Sequence, residues 1–84
     1  MHSQRFDRPI HVTRHARERM AQREISESEL VQLLENGELR YKDDSRLWAA
    51  KHFESRCDNL ICAALVLEEQ LVVKTVMHHF DWRE

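Results

Sequence analysis

The chain has 84 residues and a mass of 10.1 kDa; 33% of its residues are charged, yet 13 Lys and Arg against 15 Asp and Glu leave a formal charge of only -2. A chain this short buries ~60 to 65% of its extended surface on folding, which allows one two-layer core and excludes a large multi-substrate enzyme. Its 42% hydrophobic content excludes a disordered chain, and its longest apolar run, Leu60 to Leu67, falls far short of the ~18 residues that cross a bilayer. The start, Met1-His2-Ser3-Gln4-Arg5, has no apolar segment of a secretion signal behind it, so a cytoplasmic domain is expected.

Residues 1–9 are polar and end at Pro9, and they read as a tail or an edge lead-in to a single domain over residues 10–80, with a short tail over 81–84. Ile10-His11-Val12 can add a short strand. Thr13 is a good N-cap for a helix over Arg14 to Arg23, where Val12, Ala16 and Met20 recur at four-residue spacing and form a narrow apolar stripe. Ser26 with Glu29 makes a capping box, and Ile25 before it can staple onto Leu30. Leu30, Val31, Leu33 and Leu34 give a wider apolar face, so a second helix is expected over about Glu27 to Asn36. Gly37, the only glycine, stands where a left-handed C-cap is wanted.

Beyond Gly37 the period changes from helical to alternating. Glu38 to Lys42 reads as a short strand and Asp43-Asp44-Ser45 as a turn. Arg46 to Glu54 alternates Leu47, Ala49, Lys51 and Phe53 with Arg46, Trp48, Ala50 and His52, and Ser55 to Asp58 turns again. Leu60 to Leu67 is apolar on both faces, as a central strand should be. Glu68-Glu69-Gln70 connects it to a last strand, Leu71 to His78, followed by Phe80-Asp81-Trp82. The expected class is α+β: two N-terminal helices packed on one face of a four-stranded antiparallel meander, with Ile10 to Val12 as a short extra strand. Two helices bury one sheet face, so the other stays open to solvent, a partner or a ligand.

Charge is segregated along this layout. Residues 1–23 hold six Arg against two acids, a net of +4, and residues 24–38 hold five Glu and no Lys or Arg, a net of -5. Salt bridging across the helical hairpin accounts for this, and so does an Arg-rich surface that meets phosphates. Cys57 and Cys62 are read as reduced thiols, Cys62 packing as a small hydrophobe. Adjacent His78 and His79 point to opposite sides of a strand and cannot share a metal, and no Cys/His framework is present, so neither a metal nor another cofactor is expected. A single glycine leaves no room for a P-loop, a dinucleotide fingerprint or a nucleophile elbow.

Three stretches, Thr13-Arg14-His15-Ala16-Arg17-Glu18-Arg19-Met20, Arg23-Glu24-Ile25-Ser26-Glu27-Ser28-Glu29-Leu30 and Val73-Lys74-Thr75-Val76-Met77, together resemble a small bacterial domain of unknown function. Its signature is an HARERM..R.IS..E helical hairpin followed by a meander. In layout the chain also resembles toxins of the RelE/ParE superfamily, and the BrnT-type toxins in particular, over roughly residues 10–78. Glu24 stands where the resemblance often has glycine. The resemblance implies a microbial ribonuclease-like fold and, in its toxin branches, metal-independent RNA cleavage or inhibition of a target, neutralised by an antitoxin.

Cleaving RNA without a metal needs a base for the 2'-hydroxyl proton, an acid for the leaving oxygen and cations for the phosphorane charge. His15, about 120 degrees round the helix from the centre of the Ala16/Met20 stripe, Lys74, set within an apolar strand, and His78 are the catalytic candidates, with Arg14, Arg19, Arg46 and Lys51 as RNA contacts. The plain alternatives are that His15 bonds the sheet edge and that Lys74 blunts strand pairing. Trp48 and Tyr41 can stack on bases, although aromatic strand residues more often belong to the core. Two functions are therefore expected to compete. One is a toxin-like domain of a type II toxin–antitoxin system, with RNA and an antitoxin as partners. The other is a non-catalytic module that docks a protein or a second copy of itself.

Overall fold

The computed structural model describes residues 1–53 and 60–78, with the backbone alone at Leu60 and His78. The expected turn over Ser55 to Asp58, Cys57, the end of the second meander strand at Glu54, and His79 with the Phe80-Asp81-Trp82 tail lie outside the described residues. Eight elements follow in order: β1 (His2–Ser3), β2 (Arg8–Val12), α1 (Arg14–Gln22), α2 (Glu27–Asn36), β3 (Glu38–Tyr41), β4 (Arg46–His52), β5 (Leu60–Leu67) and β6 (Leu71–His78).

Both helices start where their caps direct. The Thr13 hydroxyl accepts from Ala16 N at 3.1 Å. Ser26 Oγ accepts from Glu29 N at 3.1 Å while Glu29 Oε1 accepts from Ser26 N at 2.9 Å, a closed capping box that satisfies two orphan amides. Glu27 and Glu29 in the first turn of α2 also complement the helix dipole. α1 ends in a Schellman arrangement: Ile25 N donates to Met20 O at 2.9 Å and Glu24 N to Ala21 O at 3.3 Å, with Glu24 left-handed at φ 54 and Met20 and Ile25 both buried.

Gly37 behaves differently from expectation. Its φ of -71 and ψ of 161 are extended, not left-handed. Glycine is needed for space instead: a Cβ here would lie 2.4 Å from Leu33 O and 3.0 Å from Ala50 O, because the chain leaves α2 pressed against β4. Arg5 completes this corner, donating through Nη1 to Leu34 O at 3.2 Å and Gly37 O at 2.8 Å, and so supplies the cation that α2 itself lacks in its last turn.

The sheet runs in the order β1-β2-β6-β5-β4-β3. β3 to β6 form the antiparallel meander; β2 lies parallel beside β6, pairing Ile10 with Leu71 and Val12 with Val73, and β1 pairs antiparallel with β2. The architecture is thus α+β, two helices with a six-stranded, mostly antiparallel sheet. α1 lies against β6, and α2 against β4 and β5. Ala16, Met20, Leu30, Leu33 and Leu34 from the helices join Leu47, Ala49, Ile61, Ala63, Leu65, Leu71, Val73 and Val76 from the strands in one core.

One irregularity reorders β6. Ala64 pairs with Thr75 and Leu65 with Val73, so Lys74 is an extra residue opposite β5. This bulge puts both Val73 and Val76 in the core, each fully buried, three positions apart. Plain alternation, which sets Val72, Lys74, Val76 and His78 on one face, is therefore broken at Lys74.

Candidate functional site

The side of the sheet away from the helices is apolar and not covered by them, and it is open around Trp48 while Ala50 and Cys62, turned to the same side, are buried. Alternation along β4 turns Trp48 to this side, and the register sets it beside Ala64 of β5 and Thr75 of β6. Arg46, Val66, Val72 and, from β2, His11 form the next row. Trp48, Ala64, Val66, Val72, Thr75 and Met77 are all half-buried. At one end of this face lies a depression of about 220 Å³ whose walls include Trp48, Ala64 and Val66 and whose lining cations are Lys42, Arg46 and Lys74.

Each cation is placed by a local device. Asp43 organises the β3–β4 turn: Oδ1 accepts from Ser45 N at 3.0 Å and Arg46 N at 2.8 Å, and Oδ2 accepts from Arg46 Nε at 2.7 Å and lies 2.6 Å from Nη2. The Arg46 guanidinium and the two backbone amides hold the Asp43 carboxyl well below the usual carboxylate range, so the pair stays charged throughout ordinary pH. The same turn fixes Lys42, whose N donates to Arg46 O at 2.8 Å. Lys74 is held from the neighbouring strand by Thr13, which follows β2. That residue's amide donates to Val73 O at 3.2 Å, and its hydroxyl lies 3.0 Å from Val73 O and 3.2 Å from Lys74 O. One side chain thereby caps α1 and shares its single hydroxyl proton between the carbonyls of the bulge, and the Lys74 side chain is exposed. A ligand with a negative group and a flat or apolar body matches such a surface.

Residues 12–78 match the family described as Domain of unknown function (DUF4258). The chain belongs to that family. Comparison with curated proteins and with solved structures gives no match.

In this DUF4258 domain the residues singled out from the sequence fall into separate groups. Arg46 and Lys74 meet in the depression. Lys51 does not join them: it shares the helix-bearing side with Leu47 and Ala49, and its ammonium sits 5.6 Å from the centre of the Phe53 ring. Arg14, His15 and Arg19 belong to α1 on that same side of the sheet, with Arg14 and His15 exposed. Arg14 pairs with Glu18 at 3.4 Å, Arg17 reaches Glu27 of α2 at 3.4 Å, and Arg19 donates to Gln22 at 3.0 Å. Part of the charge segregation is thus spent across the helical hairpin. His78 pairs through its backbone with Ile61, in the row that also holds Lys51, and its side chain lies outside the described residues.

Two residues of the uncovered face were not singled out from the sequence. Lys42 joins the depression because the Asp43 turn folds it back beside Arg46, a consequence of the turn length that the strand pattern already contained. His11 lies between buried Ile10 and Val12, so alternation turns it to the uncovered side, where it is exposed. The cue was present in Ile-His-Val; the parallel pairing that brings it beside Val72 was not. Among the described residues no three His, Cys, Asp or Glu side chains are grouped to hold a metal ion, and no helix is long and apolar enough to cross a membrane.

Proposed function

We propose that this DUF4258 domain is a toxin-like module of a type II toxin–antitoxin system that acts on RNA through the uncovered sheet face. The observation that carries this reading is the gathering of Lys42, Arg46 and Lys74 around the half-buried Trp48, a cationic and aromatic combination suited to single-stranded nucleic acid. The helical hairpin followed by a four-stranded meander, the layout that resembles RelE/ParE and BrnT-type toxins, supports it by analogy. Lys74 is the group suited to offset phosphorane charge. His11 and His52, both exposed and turned to the uncovered side, are bases available there, whereas His15 sits on α1 on the other side of the sheet.

The test is induced expression with a growth readout, together with incubation of purified protein with RNA. Growth arrest and RNA cleavage are expected for the native chain and lost in the Lys42→Glu/Lys74→Glu double variant, provided its circular dichroism is unchanged. Absence of both RNA binding and arrest in the native chain refutes the proposal. A non-catalytic docking role has its own supporting observation, the half-buried Val66, Val72 and Met77 beside the depression. It predicts a stable dimer or protein complex by light scattering and intact RNA at micromolar protein.

A further inference from the structure

Among the described residues, the cations free to meet phosphate are fewer than the composition suggests. The chain carries 13 Lys and Arg, but the α1 arginines are engaged: Arg14 with Glu18, Arg17 with Glu27 and Arg19 with Gln22. Arg5 is committed to the carbonyls at the end of α2, and Arg8 to Phe6 O and Glu68 O. Within the depression, Arg46 is bound by both Nε and Nη2 to Asp43 Oδ2. Such a pair presents almost no net charge to an incoming anion. The ammonium groups of Lys42 and Lys74 have no hydrogen bond or ion pair among the described residues, and both residues line the same depression, from β3's end and β6's bulge.

The size of the depression points the same way. About 220 Å³ lies below the ~300 to 1,000 Å³ of pockets that enclose drug-sized ligands, and suits one flat group rather than a run of bases. With a formal charge of -2, the domain has no wide positive field to capture a polyanion at a distance.

We propose that the depression is a single-nucleotide subsite for single-stranded RNA, in which Lys42 and Lys74 each take one of the phosphates that flank the nucleotide, the wall of Trp48, Ala64 and Val66 takes the base, and Asp43 withholds Arg46 from a further phosphate of the strand. This rests on the RNA reading given above and adds its stoichiometry: two phosphate-directed cations, with a third kept in reserve by a carboxylate. Asp43 is then a specificity-determining residue. It sets how many phosphate charges the site neutralises without touching the RNA itself.

The experiment is fluorescence anisotropy of a labelled, short single-stranded uridine oligonucleotide with the full chain over a salt series. Two released counterions give a slope of log affinity against log salt of about -1.4, because single strands contribute ~0.7 per neutralised phosphate. Asp43→Asn keeps the oxygen that accepts from the Ser45 and Arg46 amides, so the turn is retained while Arg46 is released. That variant is expected to bind more tightly and to steepen the slope to about -2.1, whereas Lys74→Met should flatten it to about -0.7. In a Trp82→Phe background the remaining fluorescence of Trp48 should change on binding.

Binding with a steeper native slope, unaffected by Lys42→Met and Lys74→Met or silent at Trp48, overturns the subsite while leaving the RNA reading in place. Displacement of the oligonucleotide by a glutamate-rich peptide of higher affinity also overturns it, and assigns the depression to a protein. No RNA binding under any salt overturns the subsite and the RNA reading together.

Discussion

Replacing Gly37 by alanine tests how closely α2 and β4 are joined. The backbone at Gly37 is extended, at φ -71 and ψ 161, so alanine meets no conformational penalty there. The penalty is steric. The new Cβ would lie 2.4 Å from Leu33 O and 3.0 Å from Ala50 O, both main-chain atoms that cannot rotate away. Relief requires the last turn of α2 to separate from β4, which strains the 2.9 Å bond from Gly37 N to Leu33 O and the Arg5 contact to Gly37 O at 2.8 Å. Overpacking of this kind costs ~1 to 3 kcal/mol, and weakening one hydrogen bond adds about 1 kcal/mol, so a loss of ~2 to 4 kcal/mol is expected. For a domain of this size that lowers the melting temperature by ~10 to 25 °C, readable by circular dichroism. The decisive comparison is Gly37→Asn. Asparagine tolerates a left-handed backbone, so it would rescue a left-handed cap relative to alanine. Here it should be as harmful as alanine or worse. Near-native stability of Gly37→Asn would refute the close-approach argument.

Three further outcomes follow from the same geometry. Thr13→Val removes the cap of α1 and the hydroxyl that serves the bulge at Val73 and Lys74, and should cost ~1 to 3 kcal/mol in urea unfolding, with Thr13→Ser recovering most of it; a neutral Thr13→Val would show that the bulge holds itself. Glu24→Gly places glycine at the left-handed C′ position, where strain relief of ~1 to 2 kcal/mol is partly offset by ~0.5 to 1 kcal/mol of chain entropy, so a rise of a few degrees in melting temperature is expected and a fall would show that the Glu24 side chain contributes more than its backbone costs. Burial pushes the Cys62 thiol up to about 12, so in a Cys57→Ser background Ellman's reagent at pH 8 should fail to label the native chain and label it fully in denaturant. Because that pKa is raised on folding, the thiol's contribution is fully present below the unfolded value near ~8.5 and lost as pH rises towards 12, which predicts declining stability in alkali and no effect at neutral pH.

The elements most legible in the sequence are those held by short-range chemistry. Thr13 and the Ser26–Glu29 box mark the two helix starts because their bonds span three residues. The apolar stretch of β5 and the alternation of β4 declare themselves through side-chain period. Gly37 was legible as a required glycine but for another reason, since the carbonyl of Ala50 that it meets belongs to a different element. The true left-handed position, Glu24, carries a residue that gives no compositional cue. Of the candidate site, Arg46 and Lys74 were visible as cations within apolar strands, whereas Lys51 required the register to show that it faces the helices.

The sequence by itself determined the helices, the meander and the presence of one sheet face that two helices leave uncovered, because caps and periodicity act over a few residues and are written contiguously. Tertiary structure decided the rest. The parallel placement of β2 beside β6, and the bulge that sets Lys74 out of alternation, bring together residues such as Thr13 and Val73 that are 60 positions apart. Pairing across such a separation is chosen by competition among strand partners and by burial, so no local pattern encodes it. It is this pairing that sets Lys74 around the same depression as Lys42 and Trp48 and leaves the arginines of α1 on the other side.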